Sequence, residues 1–150
     1  MKKEKLDDAN EYMVHILELM CIYIEEIRSE KNNEILHRVS EFVKANYYKD
    51  INTYSVSREL DISAFYINKL FTNVKMMKLA NYIDHIRMEK AKELLIETED
   101  EFGEIAKKVG YDDEKYFLKL FKYLTGASAA EFRDNDIRNI KMRANSMYKI

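Results

Sequence analysis

Proline is absent from this chain of 150 residues and glycine occurs three times, where average usage gives about seven prolines and about ten glycines. Hairpins, sandwiches and barrels depend on those two residues for their turns, so a strand-based architecture is excluded. The single cysteine, Cys21, permits neither an intramolecular disulfide nor a cysteine-ligated zinc, and it suits a reducing cytoplasm. His15, His37 and His85 are scattered, with no His-x-x-x-His pair, so no metal site is expected. Gly-rich phosphate loops and the Gly-x-Ser-x-Gly elbow are missing; no cofactor is expected, and the chain does not read as an enzyme. No apolar run nears the ~18 residues of a membrane span, and no signal peptide opens the chain. Charge of neither sign dominates: 25 Lys+Arg against 27 Asp+Glu leave a net charge of −2, which gives no overall basic field. What remains is 47% hydrophobic and 35% charged residues, rich in helix formers. The chain is expected to be all-α.

Residues 6–28 read as one amphipathic helix. Leu6, Ala9, Met13, Ile16, Met20, Tyr23 and Ile27 step by threes and fours, the a/d pattern of a coiled coil. Leu17, Cys21 and Ile24 widen the stripe. The stripe suits packing on the rest of the chain or a neighbour, with Cys21 as a small core residue, and equally suits a homodimer through residues 6–28. Lys31-Asn32-Asn33-Glu34 interrupts the pattern, and either Asn suits the N-cap of a second helix carrying Ile35, Leu36, Val39, Phe42 and Val43. A short helix follows, capped by Thr53 or Ser55, then a turn at Asp61-Ile62-Ser63, with Ser63 capping a helix from Ala64 to about Asn73. A long helix covers Met77 to Ile96. Phe102 to Val109, Glu114 to Leu124 and Ala129 to Arg133 form the last helices, with Gly110 and Gly126 at helix ends, Asp112 or Asp113 as one cap and Ser128 as another.

The last third repeats the middle. Val56, Leu60, Ile62, Tyr66 and Lys69-Leu70-Phe71 are echoed by Ile105, Val109, Tyr111, Tyr116 and Lys119-Leu120-Phe121. Each copy is a short helix, a tight turn and a helix with a terminal Lys-Leu-Phe. Segments are therefore expected at 1–33 (N-terminal helix), 34–75 (first helix–turn–helix), 76–98 (linker helix), 99–134 (second helix–turn–helix) and 135–150 (basic tail). A linker helix of ~20 residues spans ~30 Å, close to the ~34 Å between successive major grooves on one face of B-DNA. One rigid helix can thus set two recognition helices, at about 63–73 and 113–124, into adjacent grooves.

Ile35 to Arg133 resembles the DNA-binding region of AraC/XylS-type transcription regulators, nearest to the versions at the end of response regulators. The match is carried by Ile105-Ala106, Val109-Gly110-Tyr111, Tyr116-Phe117, Leu120-Phe121-Lys122, Thr125-Gly126 and Phe132-Arg133. Upstream it continues through Leu70-Phe71, Tyr82-Ile83, Ile86-Arg87 and Lys90-Ala91-Lys92 to Leu94-Leu95. Three positions depart from the family: Met76 stands where it has glycine, Ala129 where it has proline and Ser57 where it has alanine.

The helical spacing puts Tyr66, Ile67, Leu70 and Phe71 on the core side of the first recognition helix, and Tyr116, Phe117, Leu120 and Phe121 on that of the second. Ser63, Ala64, Phe65, Asn68, Lys69 and Thr72 are then the DNA-facing set of the first unit. Asn68 suits an adenine edge, Lys69 a guanine or phosphate, and Ala64 or Phe65 a thymine methyl. Glu114, Lys115, Leu118, Lys119 and Lys122 are the set of the second, and the resemblance implies base and phosphate contacts on these same faces. A solvated charged face is the plain alternative for the lysines.

Residues 1–34 carry five basic and nine acidic side chains (net −4), 35–134 carry 16 and 17 (net −1), and 135–150 carry four and one (net +3). Phosphate affinity must therefore come from local lysines and helix N-termini and be salt-sensitive. The tail, with Arg138, Lys141, Arg143 and Lys149, suits further phosphate contacts or an amphipathic helix. The expected function is sequence-specific binding of double-stranded DNA by a cytoplasmic transcription regulator, an activator touching RNA polymerase. The competing expectation is a protein-interaction module or anti-regulator that keeps an AraC-like fold.

Overall fold

A computed structural model describes residues 2–135, with side chains from residue 12 on. The basic tail expected beyond 135 lies outside the described residues. Within them the chain forms α1 (Lys2–Asn46), α2 (Thr53–Leu60), α3 (Ala64–Lys75), α4 (Leu79–Glu97), α5 (Phe102–Lys108) and α6 (Glu114–Thr125), and a helical segment, α7, at 129–135. No strand occurs among the described residues, in keeping with the scarcity of turn residues.

The break expected at Lys31–Glu34 is absent, and α1 runs unbroken for 45 residues. Asn32 and Asn33 each cost at most about 0.7 kcal/mol relative to alanine in a helix interior. No glycine or proline falls within the element, so propagation outweighs two weak penalties.

Two compact units divide the chain, one ending at Arg38 and the other beginning at Val39. In the first, every residue from 12 to 31 is exposed. Tyr12, Met13, Leu17, Met20 and Tyr23 are all more than half accessible. Cys21, expected as a core residue, is exposed too. No described helix is long and apolar enough to cross a membrane.

In the second unit α2 packs on α3, α3 on α4, α4 on both α5 and α6, and α5 on α6. Val56, Ile67, Leu70, Phe71, Leu79, Tyr82 and Ile83 are the buried side chains of α2, α3 and the start of α4, with Phe71 and Tyr82 edge to face at 5.2 Å. The second cluster gathers Met88, Ala91 and Leu95 of α4, Ile105 and Ala106 of α5, Val109, Tyr111, and Phe117 and Phe121 of α6, closed by Ala129. α4 is 19 residues long and puts side chains into both regions.

Caps fix the boundaries. α2 starts not from Thr53 or Ser55 but from Asn52. Its Oδ1 accepts from Tyr54 N (3.0 Å) and Ser55 N (3.1 Å), and Ser55 Oγ accepts from Asn52 N at 2.9 Å, a reciprocal capping box. Asp113 caps α6 through Tyr116 N at 3.0 Å. Ser128 and Glu131 cap α7 reciprocally, Ser128 N donating to Glu131 Oε2 at 2.8 Å and Glu131 N to Ser128 Oγ at 3.2 Å.

The backbone is left-handed at four described positions: Asp61 (φ 53), Met76 (φ 57), Gly110 (φ 96) and Gly126 (φ 80). They fall in matching places, Asp61 and Gly110 in the turns and Met76 and Gly126 at the ends of α3 and α6. Glycine meets this demand in the second helix–turn–helix only. Met76 meets it with a full side chain, 85% exposed.

Candidate nucleic-acid interface

α3 and α6 are the second helices of the two helix–turn–helix units, each laid over a short helix, α2 or α5, and held from behind by α4. On α3 the inner side is Ile67, Leu70 and Phe71, all buried, with Tyr66 only partly so. The outer side carries Phe65, Lys69 and Thr72, exposed and spaced by four and three residues as one row. Phe65 leaves 77% of its surface in solvent, an unusual place for a phenylalanine without an apolar partner. Ser63 is exposed and Ala64 partly buried at the N-terminus. Ser63 makes no side-chain capping bond to α3, whereas α6 has its first turn capped by the Asp113 carboxylate. An approaching phosphate therefore meets a less negative end on α3 than on α6.

Asn68 has an occupation that helical spacing did not foresee. Its Oδ1 accepts from Leu79 N at 3.1 Å, capping α4, whose own N-cap residue, Lys78, makes no side-chain bond. α3 is tied to α4 by that bond. The oxygen that would accept from an adenine N6 amino group thus already accepts one bond, which fixes the orientation of the amide and leaves one lone pair and the amide nitrogen for a base edge. Pairing eleven residues apart in sequence gives no periodic signal, so only the tertiary structure shows it.

On α6, Phe117 and Phe121 are buried and Leu120 is half-buried, as spacing predicts. Tyr116 is not part of that side, with 54% of its surface exposed. The Phe117–Phe121 pair, at i and i+4, fills the core, and the residue before it points away. Tyr116, Lys119 and Tyr123 make an exposed row in its place. Leu118, expected on the outer face, is half-buried against the core cluster. Lys115, Lys119 and Lys122 are exposed and form no ion pair with another described residue. Glu114 is exposed but leans back: a Cβ on Gly103 would lie 2.6 Å from its Oε2. The absence of a side chain at Gly103 is what lets Glu114 lie over the first turn of α5.

Two titrating groups frame the second unit. Asp100 is held below the usual carboxylate range by its hydrogen bond to Lys108, and Glu131 by the bonds it accepts from Ser128. Among the described residues no group of three His, Cys, Asp or Glu side chains is placed to hold a metal ion.

Residues 56–135, more than half of the chain, match the model of a helix-turn-helix domain family. The chain is 30% identical over 102 residues to the "Bifunctional transcriptional activator/DNA repair enzyme AdaA" of Bacillus subtilis, covering 68% of this chain and 48% of that protein. It is 34% identical over 102 residues to the "Lactose operon transcription activator" of Staphylococcus xylosus, covering 68% of this chain and 36% of the relative. The chain therefore spans about half or less of the length of these curated relatives. Among solved structures it is similar to the C-terminal domain of AraT, a response regulator from Geobacillus stearothermophilus. The TM-score is 0.65 at 32% identity, over 67% of this chain and 84% of that one.

Proposed function

The chain belongs to the AraC-type helix–turn–helix family, and on that premise we propose that it binds a specific sequence in double-stranded DNA and regulates transcription in the cytoplasm. α3 and α6 are the reading elements, entering adjacent major grooves with α4 as the spacer. At 1.5 Å per residue the 19 residues of α4 measure about 28 Å, short of one helical turn of DNA by no more than the breadth of a side chain. The observation that carries this reading is the duplicated division of labour. Both helices bury an apolar side and turn an exposed row that carries cations outward: Phe65, Lys69 and Thr72 on α3, and Lys115, Lys119 and Lys122 on α6.

Phosphate contacts from Lys115, Lys119 and Lys122, with Lys69 on the first unit, supply affinity that depends steeply on salt. Specificity comes from Phe65, Ala64 and Thr72 against thymine methyls and base edges, with Tyr116 beside Lys119 on the second helix. Two observations weigh against the alternative of a pure protein-interaction module. Leu118 packs inward, and Met76 takes up the left-handed conformation that its position requires.

Selection of bound sequences from a random duplex pool tests the proposal. A selected site bound in the nanomolar range, weakened by charge reversal at Lys69 and Lys119, supports it. Absence of binding to any duplex at low salt refutes it.

The apolar surface of α1 belongs to the same reading. Residues 6–28 associate with a second copy, and contact with RNA polymerase accounts for activation. Native mass measurement decides the first point: a dimer that becomes a monomer in Ile16→Asp is expected, and a monomer throughout overturns it.

A further inference from the structure

Arg87 is the one charged residue in the buried set of the described residues, 8% accessible, and it has no place among the contacts proposed for α3 and α6. It leaves α4 toward the chain segment that follows α1. Its Nε donates to Tyr47 O at 2.8 Å and its Nη2 to Lys49 O at 2.9 Å. The same guanidinium lies over the Tyr111 ring at 4.9 Å, and Tyr111 Oη donates to Asp84 Oδ1 at 2.7 Å, one helical turn before Arg87. Tyr111 sits in the turn between α5 and α6, its ring 5.9 Å from that of Phe117 on α6. Tyr47 packs on the cluster of the second unit. At Gly110 a Cβ would lie 2.8 Å from Tyr47 O and 3.1 Å from Arg87 Cζ. The approach is therefore close enough to require glycine beyond the demand of φ.

One side chain thus touches both helix–turn–helix units. Residues 47–49 lead through the Asn52 capping box into α2, which carries α3. Tyr111 leads into α6. Arg133 offers a contrast, since its bonds to Leu95 O (3.3 Å) and Asp100 O (2.7 Å) and its stacking on Phe102 at 4.9 Å stay within the second unit. We propose that Arg87 is a positioning residue, a strut from α4 to residues 47–49 and Tyr111, that fixes the setting of the second recognition helix relative to the first and so the spacing between the two half-sites the chain accepts. The inference rests on the DNA reading above. Guanidinium geometry is essential to it: a planar fork can bond two carbonyls while its face stacks on a ring, and a lysine ammonium cannot.

The experiment compares wild type with Arg87→Lys, Arg87→Met and Tyr111→Phe on two series. The first is amide hydrogen exchange of the free protein. Faster exchange in residues 47–52 and 109–113 of Arg87→Lys, with α4 and α6 still protected, is expected. Unchanged exchange in both segments overturns the strut. The second is the selected duplex with its half-sites at the natural spacing and with one base pair inserted or removed between them. Wild type is expected to lose about tenfold or more on either change, as for the loss of a good base contact. Arg87→Lys is expected to bind the natural spacing less well and to lose less than about threefold on either change, because a looser joint tolerates misfit. A merely structural arginine would lower stability and leave the spacing preference intact, and that result refutes the proposal. If Arg87→Met fails to fold, Arg87→Lys and Tyr111→Phe carry the comparison. If wild type binds no duplex, the DNA reading fails and the exchange series still judges the strut.

Discussion

Met76 shows how a single side chain departs from what its backbone needs. A non-glycine residue in the left-handed region costs roughly 1–2 kcal/mol, and Met76 holds φ 57 with little contact to offset it. Met76→Gly is expected to raise stability by ~0.5–1 kcal/mol, once the larger entropy of the unfolded glycine chain is subtracted. The check is the denaturation midpoint, and a lower midpoint would contradict the strain. Asn68 makes the opposite point, a polar residue whose structural bond competes with the reading role that its helical position suggests. Asn68→Ala is expected to cost about 1 kcal/mol through loss of the α4 cap. Asn68→Asp keeps the acceptor for Leu79 N and is expected to unfold near wild type. Periodicity places Asn68 on an outer face, and it is partly buried. The hydrogen bond that explains this joins two helices, and no local pattern encodes it.

Within elements, the alternation of buried and exposed residues is legible where it follows 3.6-residue spacing. Ile67, Leu70 and Phe71 on α3 and Phe117 and Phe121 on α6 are all buried. The spacing overreaches at Tyr116, because two adjacent aromatics cannot both face a core that an i, i+4 phenylalanine pair already fills. It overreaches again at Asn32-Asn33, two poor helix formers that suggest a stop although nothing there forbids a helix. Lys115, Lys119 and Lys122 share an exposed side of α6 and carry the element's own prediction. Each Lys→Gln change is expected to weaken binding to selected and unselected duplexes alike. Each should also lower the slope of log K against log salt by about one for every phosphate it leaves without a cation. A slope that does not change in the triple variant would mark the lysines as a merely solvated face.

Two acidic groups of the second helix–turn–helix respond to acid. Asp100 and Glu131 have carboxyl groups lowered from 3.8 and 4.5. Their stabilising contribution is fully present above those values and is lost as pH falls through the lower folded ones. Thermal stability is therefore expected to hold from neutral pH to about 5 and to fall below about pH 4, in the range where carboxylates titrate. The double variant Asp100→Asn/Glu131→Gln should show a flatter fall, and an acid profile identical to wild type would assign the loss to other groups. At this scale sequence and tertiary structure divide the molecule between them. Composition, periodicity and turn chemistry by themselves determined an all-helical chain with a duplicated helix–turn–helix and a linker helix, because each of those is written in residues a few positions apart. Only the folded chain decided that Asn68 caps α4, that Leu118 turns inward and that Arg87 joins residues 47–49 to Tyr111. The hydrogen bonds among them bridge 11 to 40 positions, and their partners are backbone groups and ring faces whose places exist only once the helices have packed.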